Sequence, residues 1–317
     1  LISAQPVMGK GLWGAMRGLC AMPVSLWQCV NIVRTKQADL VIGVGGYTSP
    51  MMILAAALSG VARVILEPNA YPGMANKAVG PFAQRVFLAF ESAADSFARS
   101  KVRVVGTPIR QAFLDGAQRS QPKPGSFHLL VFGGSQGAKA INSAVLEGLP
   151  GLMTQLPQLT ITHQTGASDH VRVAEAYRRA GIAADVTPFL YDMPEALRQA
   201  DLVVARAGAM TVAELTTCGK PAILIPLPSA IYDHQTHNAK VMEAAGAALV
   251  LPQAGLTGPA LADAVAGILR DSTRVCAMGA ASLAMRRTDA AEVIVRECYA
   301  LMEGHHDSNR SVGKAGV

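Results

Sequence analysis

The chain is poor in the residues that build metal and disulfide chemistry. Its five cysteines, at 20, 29, 218, 276 and 298, form no C-x-x-C pair and have no histidine at metal-ligand spacing. That excludes a zinc ribbon or dithiol motif and fits reduced thiols in a cytoplasmic protein. Aromatics make up 5% of the chain and charged residues 16%, and the basic residues are scattered with almost no aromatics between them. A nucleic-acid groove is therefore disfavoured. No signal peptide or uninterrupted apolar run of about 18 residues is present. The nearest approach, residues 11–33, is broken by Arg17, Pro23, Gln28 and Asn31, which favours an amphipathic or core helix over a membrane span. No D-x-D pair is available to clamp a metal onto a diphosphate, and no initiator Met opens the chain.

What is there points to a large α/β protein with an anionic partner. With 317 residues and 50% hydrophobic composition, the chain predicts two globular domains. The 28 Lys and Arg against 22 Asp and Glu leave a net charge of +6, which suits a nucleotide or a phospholipid surface. From residue 39, β-branched runs alternate with alanine-rich helical ones, the grammar of parallel βαβ units. Strands are expected near 40–44, 62–66, 85–89 and 102–105, then 128–132, 159–163, 185–188, 202–205, 222–225 and 248–251. Helices are expected between them, among them 10–35, 138–148, 236–245 and 289–302. The Gln-, Pro- and Gly-rich stretch 117–126 marks a boundary, so two Rossmann-like units would face each other across a cleft.

Three loops of the second half each follow a strand and open a helix. They are GGSQGA at 133–138, RAGAMTVAE at 206–214 and PLPSAIYDHQTHNA at 226–239. A parallel sheet delivers all three to one edge, where helix N-termini can converge on an anion. Alone, GGSQGA equally suits a packing turn. It is not a P-loop, because Ala140 follows Lys139 and leaves no hydroxyl for magnesium. It is not a dinucleotide fingerprint either, because the next strand ends in Thr162 and His163 without an acid. A diphosphate held by backbone amides and Ser135 remains. Glu214 could accept from a ribose diol or simply be a solvated glutamate. Gln235 and Asn238, three apart, can share a helix face, and neutral amides suit sugar hydroxyls. His234 and His237 lack an apparent third ligand for zinc. In the first half, GVGGYTSP at 43–50 and EPNAYPGMANK at 67–77 also follow strands, with turn chemistry as the plain alternative. Arg110 ends VVGTPIR at the domain boundary, as a cleft residue or a solvated hinge.

GVGGYTSP, EPN with PGMANK, VVGTPIR, VFGGSQGAKAIN, HQTG, ARAGAMTVAE and DHQTHNA, in this order, closely resemble the MurG family. These are the GT-B-fold UDP-N-acetylglucosamine:undecaprenyl-pyrophosphoryl-MurNAc-pentapeptide N-acetylglucosaminyltransferases of bacterial peptidoglycan synthesis. The resemblance spans about residues 8–303. It implies an inverting, metal-independent transfer of N-acetylglucosamine to the MurNAc 4-hydroxyl of lipid I, with no cofactor, at the cytoplasmic face of the inner membrane. UDP-sugar contacts would be Asn69, Arg110, Gly134, Ser135, Gln136 and Gln235, with the Leu190 backbone on uracil and Glu214 on the ribose. Tyr47, Thr48 and Ser49 would lie on the acceptor side. Leu12, Trp13, Met16 and Leu19, beside Lys10 and Arg17, would meet an anionic membrane surface, or else pack on the protein's own core.

The resemblance further implies domains at 1–110 and 111–287, a helix at 288–303 packing back on the first, and a disordered tail at 304–317. The family's histidine-bearing first glycine loop, which would hold the base or an acceptor contact, does not precede Leu1. The first domain is therefore expected to be incomplete, the catalytic residue unassigned and transfer by this chain weak. Other GT-B activities share the nucleotide loops, among them a diacylglycerol glycosyltransferase and a sugar 2-epimerase. A non-catalytic nucleotide-sugar or membrane-binding module does too.

Overall fold

The computed structural model describes residues 11–46, 48–115, 126–228 and 233–314, and side chains within them except at 11–21 and 305–314. The chain divides into two compact units, residues 1–107 with 289–317, and residues 108–288.

The first unit opens with α1 (Gly11–Thr35), β1 (Leu40–Gly43), α2 (Ser49–Leu58), β2 (Ala62–Glu67), α3 (Met74–Val79), β3 (Arg85–Leu88) and β4 (Val102–Val104). Its four strands are parallel in the order β1-β2-β3-β4. Alternate residues of each strand face opposite sides of the sheet. Ile65, Val86 and Leu88 pack with Cys29 and Val33 of α1 and Ile53 of α2 on one side. Val64 and Phe87 face the other way. Within α1, Trp27 is 68% exposed while Cys29 and Val33 are buried, so the helix shows its broad apolar surface to both core and solvent.

The second unit runs α4 (Gln111–Leu114), β5 (Phe127–Phe132), α5 (Lys139–Gln155), β6 (Leu159–Gln164), α6 (His170–Arg179), β7 (Ala184–Thr187), α7 (Met193–Gln199) and β8 (Leu202–Ala205). It continues with α8 (Ala209–Cys218), β9 (Ala222–Leu224), α9 (His234–Ala244), β10 (Ala248–Val250), α10 (Gly258–Leu269) and α11 (Ser272–Ala284). The six parallel strands are ordered β10-β9-β8-β5-β6-β7, so strand order reverses between β5 and β8. That reversal is where a doubly wound sheet opens a crevice at its carboxyl edge. Every residue of β8 and β9 is buried, as expected of strands covered on both faces.

Two helices outrun the sequence expectation. α5 continues past Pro150 to Gln155 instead of ending near 148, and Leu149 and Leu152, on either side of the proline, lie in the core. Burial there outweighs the propensity penalty of proline. α12 (Ala290–Lys314) carries helical backbone through 304–314, the stretch expected as a disordered tail. It contains no proline, and a helix already nucleated by packing propagates at little further cost. Ile294 and Cys298 of α12 join Val64, Phe87 and Val105 in the first unit's second core, and Glu297 pairs with Arg85 at 3.0 Å and Arg103 at 3.7 Å. No described helix is long and apolar enough to cross a membrane.

Candidate functional site

The GGSQGA loop leaves β5 at the strand-order reversal. Gly134 and Gly137 take φ values of +83° and +72°, and the Gly137 N–H donates to the Gly134 carbonyl at 2.8 Å, closing a tight turn. The turn lies directly on Thr165 and Gly166, which follow β6. A Cβ on Gly137 would stand 2.0 Å from the Thr165 carbonyl oxygen, and one on Gly166 would stand 2.3 Å from that of Gln136. Ser135 and Gln136 are exposed at the tip. α5 then opens with no side-chain cap, leaving its first N–H groups free.

The HQTG segment fixes this loop from below. Gln164, 2% exposed, accepts from the Gly133 N–H at 3.3 Å and donates to the Pro188 carbonyl at 3.1 Å, tying the glycine turn to the segment that carries Leu190. His163 is wholly buried between the Tyr177 hydroxyl and the Asn142 Oδ1, each at 3.1 Å. Asn142 spends its amide hydrogens on the Thr165 carbonyl and Asp169. Its Oδ1 must therefore accept, which puts the histidine proton on Nε2 and makes Tyr177 the donor to Nδ1. Burial pushes the His163 pKa down to about 4, so the ring is neutral. Its hydrogen bond to Arg172 holds Asp169 below the ordinary carboxylate range.

On the other side of the reversal, α8 begins at Gly208, again without a side-chain cap. Glu214 lies in its second turn, half-buried, and no described residue hydrogen-bonds its carboxylate. Desolvation raises its pKa to about 7, opposed by the charge of Arg110. Arg110 itself is exposed, its guanidinium 5.1 Å from the Phe113 ring centre. α9 follows Asp233, whose φ of +37° is left-handed and whose carboxylate accepts from the Thr236 hydroxyl at 2.7 Å. Gln235 Oε1 accepts from the Leu227 N–H at 2.9 Å, and its Nε2 has no partner among the described residues. Asn238 departs from the expectation that it shares a sugar-facing surface with Gln235. It is fully buried, and its amide donates to the Ala207 carbonyl at 3.1 Å, locking α9 against the loop before α8.

α7, α10 and α11, by contrast, are capped by Asp192, Thr257 and Asp271. α6 opens uncapped, its Asp169 being taken by Asn142 and Arg172. Three of the uncapped helices, α5, α8 and α9, follow adjacent strands β5, β8 and β9, so free N–H groups concentrate at one edge. Leu190 is half-buried between Phe189 and the 89%-exposed Tyr191, whose rings meet edge-on at 5.0 Å. Among the described residues, no group of three His, Cys, Asp or Glu could hold a metal.

In the first unit, Glu67 is 2% exposed and gathers the EPN loop around itself. It accepts from Asn69 N–H and Nδ2 at 3.1 Å, and from Gly73 N–H and Asn76 Nδ2 at 2.9 Å. Asn69 is thereby held by the acid at its own strand end. Thr48 is exposed, whereas Ser49 is 7% exposed and its Oγ accepts from the Gly45 N–H at 3.3 Å. Ser49 thus closes its own turn. Tyr47 and the side chains of Leu12, Trp13, Met16 and Leu19 lie outside the described residues. Gln164 and the brace formed by Arg206 were missed from sequence. Their partners stand 24 and 19 residues away, a separation that no spacing rule encodes.

The glycosyltransferase family 28 N-terminal domain matches residues 1–88, and the family 28 C-terminal domain matches residues 128–294. A UDP-N-acetylglucosamine--N-acetylmuramyl-(pentapeptide) pyrophosphoryl-undecaprenol N-acetylglucosamine transferase of Syntrophus aciditrophicus is 43% identical over 302 residues, 95% of this chain and 84% of the relative. The enzyme of that name from Syntrophotalea carbinolica is 45% identical over 300 residues, 94% of this chain and 83% of the relative. The crystal structure of Acinetobacter baumannii MurG superposes with a TM-score of 0.75 at 30% identity, covering 89% of this chain and 79% of that one. A UDP-GlcNAc 2-epimerase from Neisseria meningitidis, at 10% identity and a TM-score of 0.63, shares the fold alone.

Proposed function

The chain belongs to glycosyltransferase family 28 and, within it, to the MurG transferases of GT-B fold, and from that membership we infer that it moves N-acetylglucosamine from UDP-N-acetylglucosamine onto lipid I, forming lipid II for peptidoglycan. We propose that the second unit holds the donor. The observation that carries this is Glu214, a half-buried carboxylate with no hydrogen-bonding partner among the described residues, one turn inside an uncapped helix at the strand-order reversal. Such an acid is matched by a pair of adjacent hydroxyls, and the ribose diol supplies them.

The remaining assignments follow the same logic. The free amides of Gly134, Ser135 and Gln136, the Ser135 hydroxyl and the α5 N-terminus suit a diphosphate. Arg110 adds a positive charge near Glu214. The Leu190 N–H and carbonyl have no partner among the described residues and can pair with a pyrimidine edge. Gln235 offers a free Nε2 donor to a sugar hydroxyl. In the reaction the acceptor 4-hydroxyl attacks the anomeric carbon, the bond to the UDP oxygen breaks, and configuration inverts. Charge building on the departing diphosphate meets fixed N–H dipoles, so the loop stabilises the transition state without a D-x-D metal clamp. The first unit, with Thr48 and Tyr47, would serve the lipid acceptor, and α1 would rest on the cytoplasmic face of the membrane.

Calorimetry with UDP-N-acetylglucosamine, UDP and ADP tests the donor assignment. Binding of both uridine compounds with ADP at least tenfold weaker is expected. No heat with UDP, or equal affinity for ADP, would sink it.

A further inference from the structure

Arg206 is the first residue after β8, in the loop that leads to α8, and is 9% exposed. Among the described residues it forms no ion pair with a carboxylate. Its guanidinium is spent on neutral oxygens: Nη1 donates to the Ile225 carbonyl at 2.9 Å and the Pro226 carbonyl at 3.2 Å, and Nη2 to Gln253 Oε1 at 2.6 Å. A buried cation without a counter-charge is costly to keep where an apolar side chain would pack as well. Its retention is explained if the fork geometry itself is needed, because guanidinium reaches two consecutive carbonyls and an amide at once.

Those two carbonyls belong to the residues immediately before Leu227, and the Leu227 N–H is the group that holds Gln235 Oε1 at 2.9 Å. Ile225 is further pinned by its own N–H, which donates to the Ala205 carbonyl at 2.9 Å. The three bonds of Arg206 and this one leave segment 225–227 little freedom. We propose that Arg206 is a positioning residue of the donor-sugar subsite. By bracing 225–227 it fixes the Leu227 N–H, which orients the Gln235 amide so that Nε2 is presented to a sugar hydroxyl. The assignment rests on the donor reading above and adds to it a residue that selects the sugar without touching it. Three of its five N–H donors are spent on this brace, which ties the Arg206 guanidinium to segment 225–227 and Gln253.

Calorimetry separates these roles by comparing UDP-N-acetylglucosamine with UDP, in the unchanged chain and in Arg206→Met, Gln235→Ala, their double variant and Gln253→Leu. Arg206→Met should weaken the sugar nucleotide about tenfold, the loss of one well-made hydrogen bond, and leave UDP within about twofold. The double variant should bind like Gln235→Ala alone, because both changes break one linkage. Gln253→Leu, which keeps the cation but removes one leg of the brace, should shift the ratio the same way by a smaller factor and covers the case that Arg206→Met does not fold. Arg206→Lys should lose sugar-nucleotide affinity as Arg206→Met does, because an ammonium lacks the fork. Equal weakening of UDP and the sugar nucleotide, or additive effects in the double variant, would overturn the proposal. If the unchanged chain fails to bind UDP-N-acetylglucosamine at all, the donor reading itself fails and takes the proposal with it.

Discussion

Replacing Glu214 by glutamine makes the sharpest test of the nucleotide site, because the native acid titrates where binding can be measured. Burial lifts its pKa to about 7 against the opposing charge of Arg110. Only the ionised carboxylate accepts from both hydroxyls of a diol, so ligand should bind that form and pull the pKa down. A carboxylate with this pKa is about one-tenth ionised at pH 6 and about nine-tenths at pH 8. Apparent affinity scales with the competent fraction, so it should rise about tenfold over that interval. UDP-N-acetylglucosamine is the right probe, since its diesterified diphosphate does not titrate in the range, whereas free UDP does. Glutamine keeps the shape and loses the charge. At pH 8 it should cost about 1.5–3 kcal/mol, the value of a charge-assisted hydrogen bond, which is roughly ten- to a hundredfold in Kd. Its affinity should be flat with pH, so the gap to the native chain should narrow toward pH 6. The sign on stability is opposite. A raised carboxylate pKa means that the folded state holds more protons, so stability is lost as pH climbs from the ordinary glutamate value through about 7. Glu214→Gln should therefore melt higher than the native chain at pH 8 while binding worse. A native Kd that does not change between pH 6 and 8, or a glutamine variant that binds equally well at pH 8, would refute the assignment.

Other perturbations are as direct. Arg110→Ala removes the charge that restrains Glu214, so the midpoint of the binding–pH curve should move above that of the native chain. Gly137→Ala meets both a left-handed φ of +72° and a backbone oxygen at 2.0 Å, whereas Gly134→Ala, at φ +83°, meets open space. The second should cost only the left-handed penalty of about 1–2 kcal/mol, and the first clearly more, visible as a larger fall in Tm and loss of UDP binding. Equal melting temperatures would contradict the packing described. His163, buried and neutral, has a pKa lowered from 6.5 to about 4, so the unfolded chain binds its proton first. Its contribution should be intact above pH 6.5 and lost on acidification toward pH 4, on the order of 3 kcal/mol, as followed by urea unfolding of the native chain against His163→Gln. Glu67→Ala strands four donors, three of them on Asn69 and Asn76, and should unfold the EPN loop, with amide exchange at Asn69 and Gly73 accelerating.

The strands were legible because they are covered on both faces, so each is a short β-branched run, LVVA at 202–205 being the plainest. Their alternation with helices dictates a parallel sheet, and a parallel sheet delivers its loops to one edge whatever their sequence. GGSQGA, RAGAM and DHQTHNA could thus be grouped before any coordinates. What spacing could not convey was which polar side chains look inward. Asn238 and Gln235 are three residues apart on α9, yet one is fully buried against Ala207 and the other retains a free amide. Ser49 reads as an exposed hydroxyl beside Thr48 and instead closes a turn. One helix end was misjudged where packing overrides composition, at Pro150.

The first unit is interrupted in sequence. Its sheet has helices α1 and α2 on one face, but the other face waits for Ile294 and Cys298, which come after all of residues 108–288. A ribosome releases the chain in order, so the second unit has every residue it needs while the first unit still shows Val64 and Phe87 to water. The half that begins first must finish last. A nascent chain paused near residue 288 would carry a finished second unit and a half-covered sheet, the stage at which a chaperone would find apolar surface to hold.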